Sequence, residues 1–356
     1  MRPVLMCGGI GSKMWPVSRR VSPKHFLPLL NGKSLFQINY NTLRKKFAPG
    51  EIFVQTNKEQ AEIAKTQAPD IPDSNYFIEP ELRNHGPATG LMAAKLYSLD
   101  PDEPFITIQT DVIRKPENKF LEMIDQIDKL IKKEKKLVTG GIRPTYAIMG
   151  VDYLLAEERV DNTGNMNIYK MNKWLGRDAK EEVEKYLEKK AIFAHTNHYA
   201  WTPRLILEAY KKIAPDWYKP LQNIINSFGK NNENQIIAKE YSTMEKGPVE
   251  RVTSTELNNG YVVELPFEWI DIGTWESLAK YEQAIDLKEP DENNILIDSK
   301  NCFINNPMKK TVAVIGIDNL VVIDTKDALL ICSKKQSGRV GEVVDRLKEL
   351  KKDEFL

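Results

Sequence analysis

The sequence predicts an α/β fold: a mostly parallel sheet covered by helices on both faces, followed by a small C-terminal β unit. Short apolar runs alternate with helical patterns through the first part of the chain. From about Asn293 the composition changes to short β runs separated by Asn, Asp, Gly and Lys. The 356 residues are enough for one large core and one small appendage. The boundary is placed near residue 288, in "DLKEPDENN", which divides the chain into 1–288 and 289–356.

The strand candidates are "VLMC" (4–7), "EIFVQT" (51–56), "NYFIEP" (75–80), "PFITIQTD" (104–111) and "KKLVTGGI" (135–142). Between them, "SLFQINYNTLRKKF" (34–47) offers Ser34 as an N-cap and sets Phe36, Tyr40, Leu43 and Phe47 at helical spacing. "GPATGLMAAKLYSL" (86–99) is a second helix, small-residued enough to lie close to a sheet. After residue 150 the pattern loosens into charged and amide-rich helices (178–190, 203–213, 218–228) joined by irregular segments, as expected of an insertion shaping one side of a pocket. Stacked short strands, as in a β-helix, or a small β-meander both fit the stretch after Asn293. The end, "VGEVVDRLKEL" (340–350), reads as an amphipathic helix.

Lys and Arg number 51 against 50 Asp and Glu, a formal net charge of +1, so no excess of positive charge is present to hold a nucleic-acid backbone. The run "KKEKK" (132–136) is broken by Glu134 and reads as a solvated helix face. Cys7, Cys302 and Cys332 are few, odd in number and far apart, which disfavours a disulfide framework or zinc site and favours a reducing cytoplasm. No apolar run reaches the ~18–20 residues of a membrane span, and "MRPVLMCGG" holds too short an apolar stretch for a signal peptide.

The first strand candidate runs into Gly8, Gly9, Gly11, Ser12 and Lys13, placing a glycine loop at a strand's C-terminal end, where open α/β sheets bind ligands. Glycines there let several backbone N–H groups converge on one anion. The loop is not Walker A, and the dinucleotide fingerprint fails where Met14 stands. Pro16 and Pro23 prevent one continuous helix, so an extended loop delivers Lys13 and Lys24 from two points, an arrangement suited to a polyphosphate. Asp111 ends one apolar run and Asp271 another. Two carboxylates at strand ends near a phosphate loop are candidates to bind Mg²⁺.

These motifs, in this order, resemble the sugar-nucleotide pyrophosphorylases, most closely the mannose-1-phosphate guanylyltransferases (GDP-mannose pyrophosphorylases). The family's GGxGTRLWPxSRxxxPKQF appears as "GGIGSKMWPVSRRVSPKHF", and its EPExRNTAPA as "EPELRNHGPA" (79–88). "MEK" (244–246), "WIDIGTW" (269–275) and "GIDNLVVIDTKDALLI" continue the match, so the likeness covers residues 4 to about 347. The resemblance implies a Rossmann-like nucleotidyltransferase domain with a mostly parallel sheet, plus a small C-terminal β-helix-like domain. It implies that the phosphate of a hexose-1-phosphate attacks the α-phosphorus of GTP and pyrophosphate leaves, with Mg²⁺ as cofactor. Carried over by position, Gly8, Gly9, Gly11 and Ser12 lie along the nucleotide. Lys13 and Lys24 neutralise phosphates and are the catalytic cations, and Asp111 and Asp271 hold the metal. Arg83, Asn84, Pro87 and Ala88 face ribose and base, and Gly150, Asp152, Arg177 and Asn197 fall on the sugar side. The resemblance also implies self-association as a homodimer through the C-terminal β segment. It further implies one activity, because the isomerase domain of longer relatives has no room after Leu356.

Several matched positions depart from the family pattern. Lys13 replaces an Arg and loses the planar fork that grips two oxygens. TGYGYI reads "MGVDYL", VEKP reads "LGRD", WNSGMF reads "TNHYAW" and PSDH reads "QTDV". The nucleotide half of the site is well kept and the hexose half is not. Three readings follow: GDP-mannose synthesis with altered sugar contacts, the same chemistry on another hexose-1-phosphate or nucleotide, or a catalytically impaired nucleotide-binding regulator. His195 and His198, three apart, resemble half a metal site if they share a helix face, but without a third ligand they read as a packed or solvent-facing pair. His25 reads as a hydrogen-bonding substitute for the family's Gln, and Trp269 and Trp275 as packing for the loop around Asp271.

Overall fold

The computed structural model describes residues 1–9, 11–148, 151–160, 166–177, 180–187, 192–285 and 292–356. The expected boundary near residue 288 and the sugar-side Gly150 lie outside the described residues. By internal contacts the chain forms two compact units. One is Met1–Cys7, Tyr40–Gln109 and Arg114–Trp269; the other is Gly8–Asn39, Thr110–Ile113 and Ile270–Leu356.

The larger unit is built on a nine-stranded sheet. Strands β1 (Arg2–Met6), β2 (Phe53–Asn57), β3 (Tyr76–Glu79) and β4 (Phe105–Gln109) occur where the apolar runs predict them. After the short β5 (Val112–Lys115) come β6 (Val138–Ile142), β7 (Tyr153–Val160), β8 (Ile168–Leu175), β9 (Ile192–Trp201) and β10 (Tyr261–Glu264). The order across the sheet is β3-β2-β1-β4-β9-β6-β10-β8-β7. Strands β1 to β4 pair in parallel, as do β6 and β10, while β8 and β9 run against their neighbours. Seven of the nine strands therefore point the same way, and two are reversed, β9 at the centre and β8 towards one edge.

The loosened pattern after residue 150 is where the sequence reading is corrected. That region supplies four strands of the main sheet, β7 to β10, as well as helices. Strands β7 and β8 carry exposed Glu, Lys and Asn residues that mask their period. In β9 the stretch "HTNH" breaks the apolar run although His195, Thr196 and His198 are buried, each with a side-chain hydrogen bond, Nε2 of His195 to Thr139 and Thr196 with His198. The helix Lys180–Leu187 lies inside the expected 178–190, and Pro203–Ile213 matches its prediction. The next helix starts earlier than expected, at Pro215, because a proline at the first helical position costs no hydrogen bond.

The smaller unit holds the glycine loop and the C-terminal segment. Ser34 caps the helix Leu35–Arg44, its hydroxyl accepting from Gln37 N at 3.0 Å. Val112–Lys115 pairs with β11 (Glu268–Asp271) as a two-stranded ribbon. Beyond it, β12 (Asn294–Ile297) pairs in parallel with β14 (Val312–Ile315), and β13 (Phe303–Asn305) with β15 (Leu320–Asp324). β15 then pairs with β16 (Leu329–Ser333) as a hairpin. Parallel pairing of alternate short strands selects the stacked, β-helix-like arrangement over the meander. Its corners use Asp298, Asn301, Gly316 and Asn319 in the left-handed region, residue types that tolerate positive φ. The helix Val340–Glu349 packs Val340 and Val344 with Met14, Trp15, Trp275, Phe303, Val321 and Ile323 in one core.

Candidate active site

Gly11 takes φ +78° and leads into a single 3₁₀ turn, Ser12–Met14, closed by Met14 N donating to Gly11 O at 2.9 Å. No other residue fits here. A Cβ on Gly11 would stand 2.4 Å from Lys24 Cβ, so the glycine admits Lys24 against the loop. Pro23 then starts a second 3₁₀ turn, Lys24–Phe26. The loop is held from behind: Trp275 Nε1 donates to Trp15 O at 3.0 Å and Trp15 Nε1 to Phe355 O at 2.9 Å. Trp275 thus packs the loop as expected.

Lys24 is buried, and its ammonium donates to Asp111 Oδ2 at 2.8 Å. The carboxyl of Asp111 is raised by burial, but Lys24 and His25 outweigh this and hold it down to about 2. His25 is kept neutral, burial lowering it to about 4 with Lys24 adding to the effect and Asp111 opposing it. Its Nδ1 shares a 2.9 Å hydrogen bond with Thr110 Oγ1, the substitute role expected of it. Asp271 ends β11, and the next residue, Ile272, donates its N–H to Asp111 O at 3.0 Å. The Asp271 carboxyl is raised, first by desolvation and then by the Asp111 charge, with Lys24 and Lys13 opposing. One unit therefore brings together both cations and both carboxylates of the sequence reading.

The two carboxylates are an all-oxygen donor pair, and a divalent cation would relieve the repulsion that Asp271 feels from Asp111. That chemistry fits Mg²⁺, which takes one or two carboxylates plus substrate phosphates. Among the described residues no group of three or more His, Cys, Asp or Glu side chains is arranged for a metal.

In the larger unit the motifs "EPELRN" and "MEK" are knitted together. Arg83 Nη1 donates to Met244 O at 2.6 Å, Gly247 N to Arg83 O at 3.3 Å and Gly86 N to Gly247 O at 2.9 Å. Trp217 covers Gly86, where a Cβ would lie 2.4 Å from its ring, and donates Nε1 to Glu245 O at 2.9 Å. Asn84, at φ 68°, caps the helix His85–Leu99 through its own side chain, and Pro87 and Ala88 are buried in that helix's first turn.

Of the residues expected on the sugar side, Asp152 and Arg177 meet. Arg177 Nε donates to Asp152 Oδ2 at 3.3 Å, so two departures from the family pattern are partners of each other. Burial raises the Asp152 carboxyl, and Arg177 opposes that. Asn197 sits in β9 at φ 57°, with its Oδ1 buried and unpartnered. His195 and His198 lie on this strand rather than a helix. His195 Nε2 shares a hydrogen bond with Thr139 Oγ1 at 2.8 Å, and His198 Nε2 accepts from Arg114 Nε at 2.9 Å. They are the packed pair. Arg114, buried within β5 of the ribbon, escapes sequence reasoning because the strand read from the sequence ends at Asp111.

Residues 2–287 match the Nucleotidyl transferase family model, and 292–347 match the MannoseP isomerase/GMP-like beta-helix domain. A mannose-1-phosphate guanylyltransferase of Salmonella muenchen is 28% identical over 99% of this chain and 74% of its own length. One of Klebsiella pneumoniae is 27% identical over 99% of this chain and 75% of its own. In fold, a Thermus thermophilus crystal structure described as mannose-1-phosphate geranyltransferase superposes with a TM-score of 0.79. It is 22% identical and covers 98% of this chain and 99% of its own. No helix among the described residues is long and apolar enough to cross a membrane. The family match spans the glycine loop, both carboxylates and the sugar-side strand, and with it the chain belongs to the nucleotidyl transferase family, as an enzyme of the sugar-nucleotide branch.

Proposed function

We propose that this enzyme forms GDP-mannose from GTP and mannose 1-phosphate. A phosphate oxygen of the sugar phosphate forms a bond to the α-phosphorus of GTP, the α–β bridging P–O bond breaks, and pyrophosphate leaves with its electron pair. One observation carries the reading: Lys24 is ion-paired with Asp111 at 2.8 Å against the glycine loop, with Asp271 under the influence of Asp111, Lys24 and Lys13. The names of the curated relatives supply the base and the hexose.

The chain's own part is positioning and charge neutralisation. Backbone N–H groups of Gly8, Gly9, Gly11 and Ser12 line the triphosphate. Lys13 meets phosphate directly, and Lys24, already committed to Asp111, shares its charge between that carboxylate and phosphate. Asp111 and Asp271 would hold Mg²⁺, which when bound neutralises phosphate charge. The segment of Arg83, Asn84, Pro87 and Ala88 serves ribose and base, and Asn197 serves the hexose. We extend the proposal to a division near residue 288, a cytoplasmic setting and a homodimer through the C-terminal strands, where Ile295, Leu296, Ile297, Ile315 and Ile331 are exposed.

A second reading, another hexose 1-phosphate, is favoured by the buried Asp152 carboxylate bridged to Arg177 where the family has Gly and Lys. The test is pyrophosphate release with Mg²⁺ across GTP, ATP, UTP, CTP and dTTP against mannose-, glucose-, galactose- and fucose-1-phosphate. Highest kcat/KM for GTP with mannose 1-phosphate is expected. A maximum elsewhere overturns the substrate assignment, and no release with any pair overturns the enzyme reading.

A further inference from the structure

Asn197 stands at an irregularity in the sheet. Thr139 of β6 faces Tyr199 of β9 and Gly141 faces His195, so the single residue Gly140 opposes Thr196, Asn197 and His198. The extra residues bulge, and the middle one adopts φ 57°. Asparagine enters the left-handed region more readily than other side-chain-bearing residues, but within a strand that conformation interrupts the ladder, and its surroundings decide whether it is kept. Its Oδ1 is buried and accepts nothing, and such an acceptor is costly unless a ligand supplies the donor.

The enforcing groups are the residues on either side. Thr196 Oγ1 and His198 Nδ1 lie 2.9 Å apart, on the same face because they are two apart on a strand. Arg114 donates Nε to His198 Nε2 at 2.9 Å. A guanidinium has no acceptor, so Nε2 carries no proton, Nδ1 carries it, and Thr196 Oγ1 must accept it. The tautomer is fixed by Arg114, and the hydrogen bond it creates closes across Asn197. Gly140 leaves room for this closure: a Cβ there would meet Thr196 Oγ1 at 2.8 Å and His198 Nδ1 at 3.2 Å. Phe120 lies under the Arg114 guanidinium at 4.8 Å and beside the His198 ring at 6.1 Å, with Phe267 completing the wall. Arg114 is anchored further by Nη2 donating to Gln109 O at 3.2 Å, while Gln109 Nε2 reaches Asn197 O at 3.5 Å.

We propose that Arg114, His198 and Thr196 are positioning residues that pin Asn197 in its left-handed conformation and so present its carboxamide oxygen to a hydroxyl of the hexose 1-phosphate. The proposal rests on the assignment of Asn197 to the sugar. His198 occupies a Ser position of the family pattern, and Arg114 is the group that gives the imidazole its direction.

The experiment measures KM for mannose 1-phosphate and for GTP in the full-length enzyme, for Asn197→Ala, Thr196→Val and the double variant, with Arg114→Met alongside. Thr196→Val removes the accepting oxygen with little change of volume, and it remains available if Arg114→Met does not fold. A rise of about fivefold to thirtyfold in the sugar-phosphate KM is expected for each single variant, equivalent to the ~1–2 kcal/mol of one hydrogen bond. The GTP KM is unchanged, and the double variant is no worse than Asn197→Ala alone. Losses that multiply in the double variant, or an effect of Asn197→Ala with none from Thr196→Val, overturn the clamp while leaving the sugar assignment in place. If Asn197→Ala changes nothing, or the wild type turns over neither substrate, the sugar assignment has failed and the proposal with it. Amide hydrogen exchange across 192–201 then reports the local geometry: faster exchange in Thr196→Val retains the pinning of Asn197 alone, and unchanged exchange removes that too.

Discussion

The glycine loop of the smaller unit and strand β9 of the larger one place polar groups in opposite ways. Around the glycine loop, the charged groups Lys13, Lys24, Asp111 and Asp271 press on one another: Asp111 is stabilised as an anion by Lys24, and Asp271 is destabilised first by burial and then by Asp111. Around β9, residues that depart from the family pattern have acquired partners, Asp152 with Arg177 and His198 with Arg114. The loop sets charged groups against one another, while Asp152 and His198 near β9 have neighbouring partners.

The sharpest way to break this contrast is Asp111→Asn. On the proposed function it lowers kcat by at least about 10²–10³-fold, the scale of losing one charge-stabilising group at a reacting centre. Retained turnover would show that Asp111 only partners Lys24. Acid titration adds an independent readout. The folded carboxyl lies at about 2 against an unfolded value near ~3.9. A depressed value contributes stability above the unfolded pKa and loses it as pH falls through the folded one. The variant should therefore lack the wild type's loss of Tm between about pH 4 and pH 2.

Lys13→Arg comes next. If the missing fork limits the enzyme, the rate rises about tenfold to a hundredfold, corresponding to ~1.4–3 kcal/mol at the transition state. An equal or lower rate shows that the loop has adapted to Lys. Gly11→Ala tests the packing of the loop. At φ +78° an alanine costs about 1–2 kcal/mol, before its Cβ meets Lys24 at 2.4 Å. A lowered Tm together with a raised GTP KM is expected, and an unchanged Tm would mean that the loop relaxes freely.

Asp271→Asn should separate stability from turnover. The folded carboxyl is raised, so ionising it costs the fold as pH climbs from the unfolded pKa through the folded one, and at neutral pH that cost is fully present. Without substrates or metal the variant should melt higher than the wild type near pH 7, while turnover falls. A lower Tm would show that Asp271 is held by favourable contacts and is not strained by Asp111.

What was legible in the sequence follows the same division. Strands β1 to β4, the capped helix at Ser34 and the loop residues are local signals: apolar runs, a capping residue, glycines and prolines in succession. The meeting of Lys24 with Asp111 spans 87 residues and required the fold. Strands β7, β8 and β9 were hidden because their polar residues face solvent or are buried with side-chain partners on one side only, and a period of two cannot be seen through "HTNH". The pairing of Arg114 with His198 left no trace, since each alone reads as an ordinary surface or packed residue.

The smallest expected effect concerns Asp152 and Arg177. Their side chains meet in one 3.3 Å hydrogen bond, with the Arg177 side chain 58% exposed, so solvent screens most of its Coulomb energy. A double-mutant cycle with Asp152→Asn and Arg177→Gln should give a stability coupling of about 0.2–1 kcal/mol. If the pair were kept for stability, the coupling would exceed that range and sugar preference would not move. If it is kept for the sugar, the coupling stays small and the ratio of kcat/KM between mannose 1-phosphate and glucose 1-phosphate changes in both single variants. Asp152→Asn should move that ratio more than Arg177→Gln, because the buried carboxylate offers fixed acceptors to a hydroxyl, whereas the exposed guanidinium has solvent as an alternative partner.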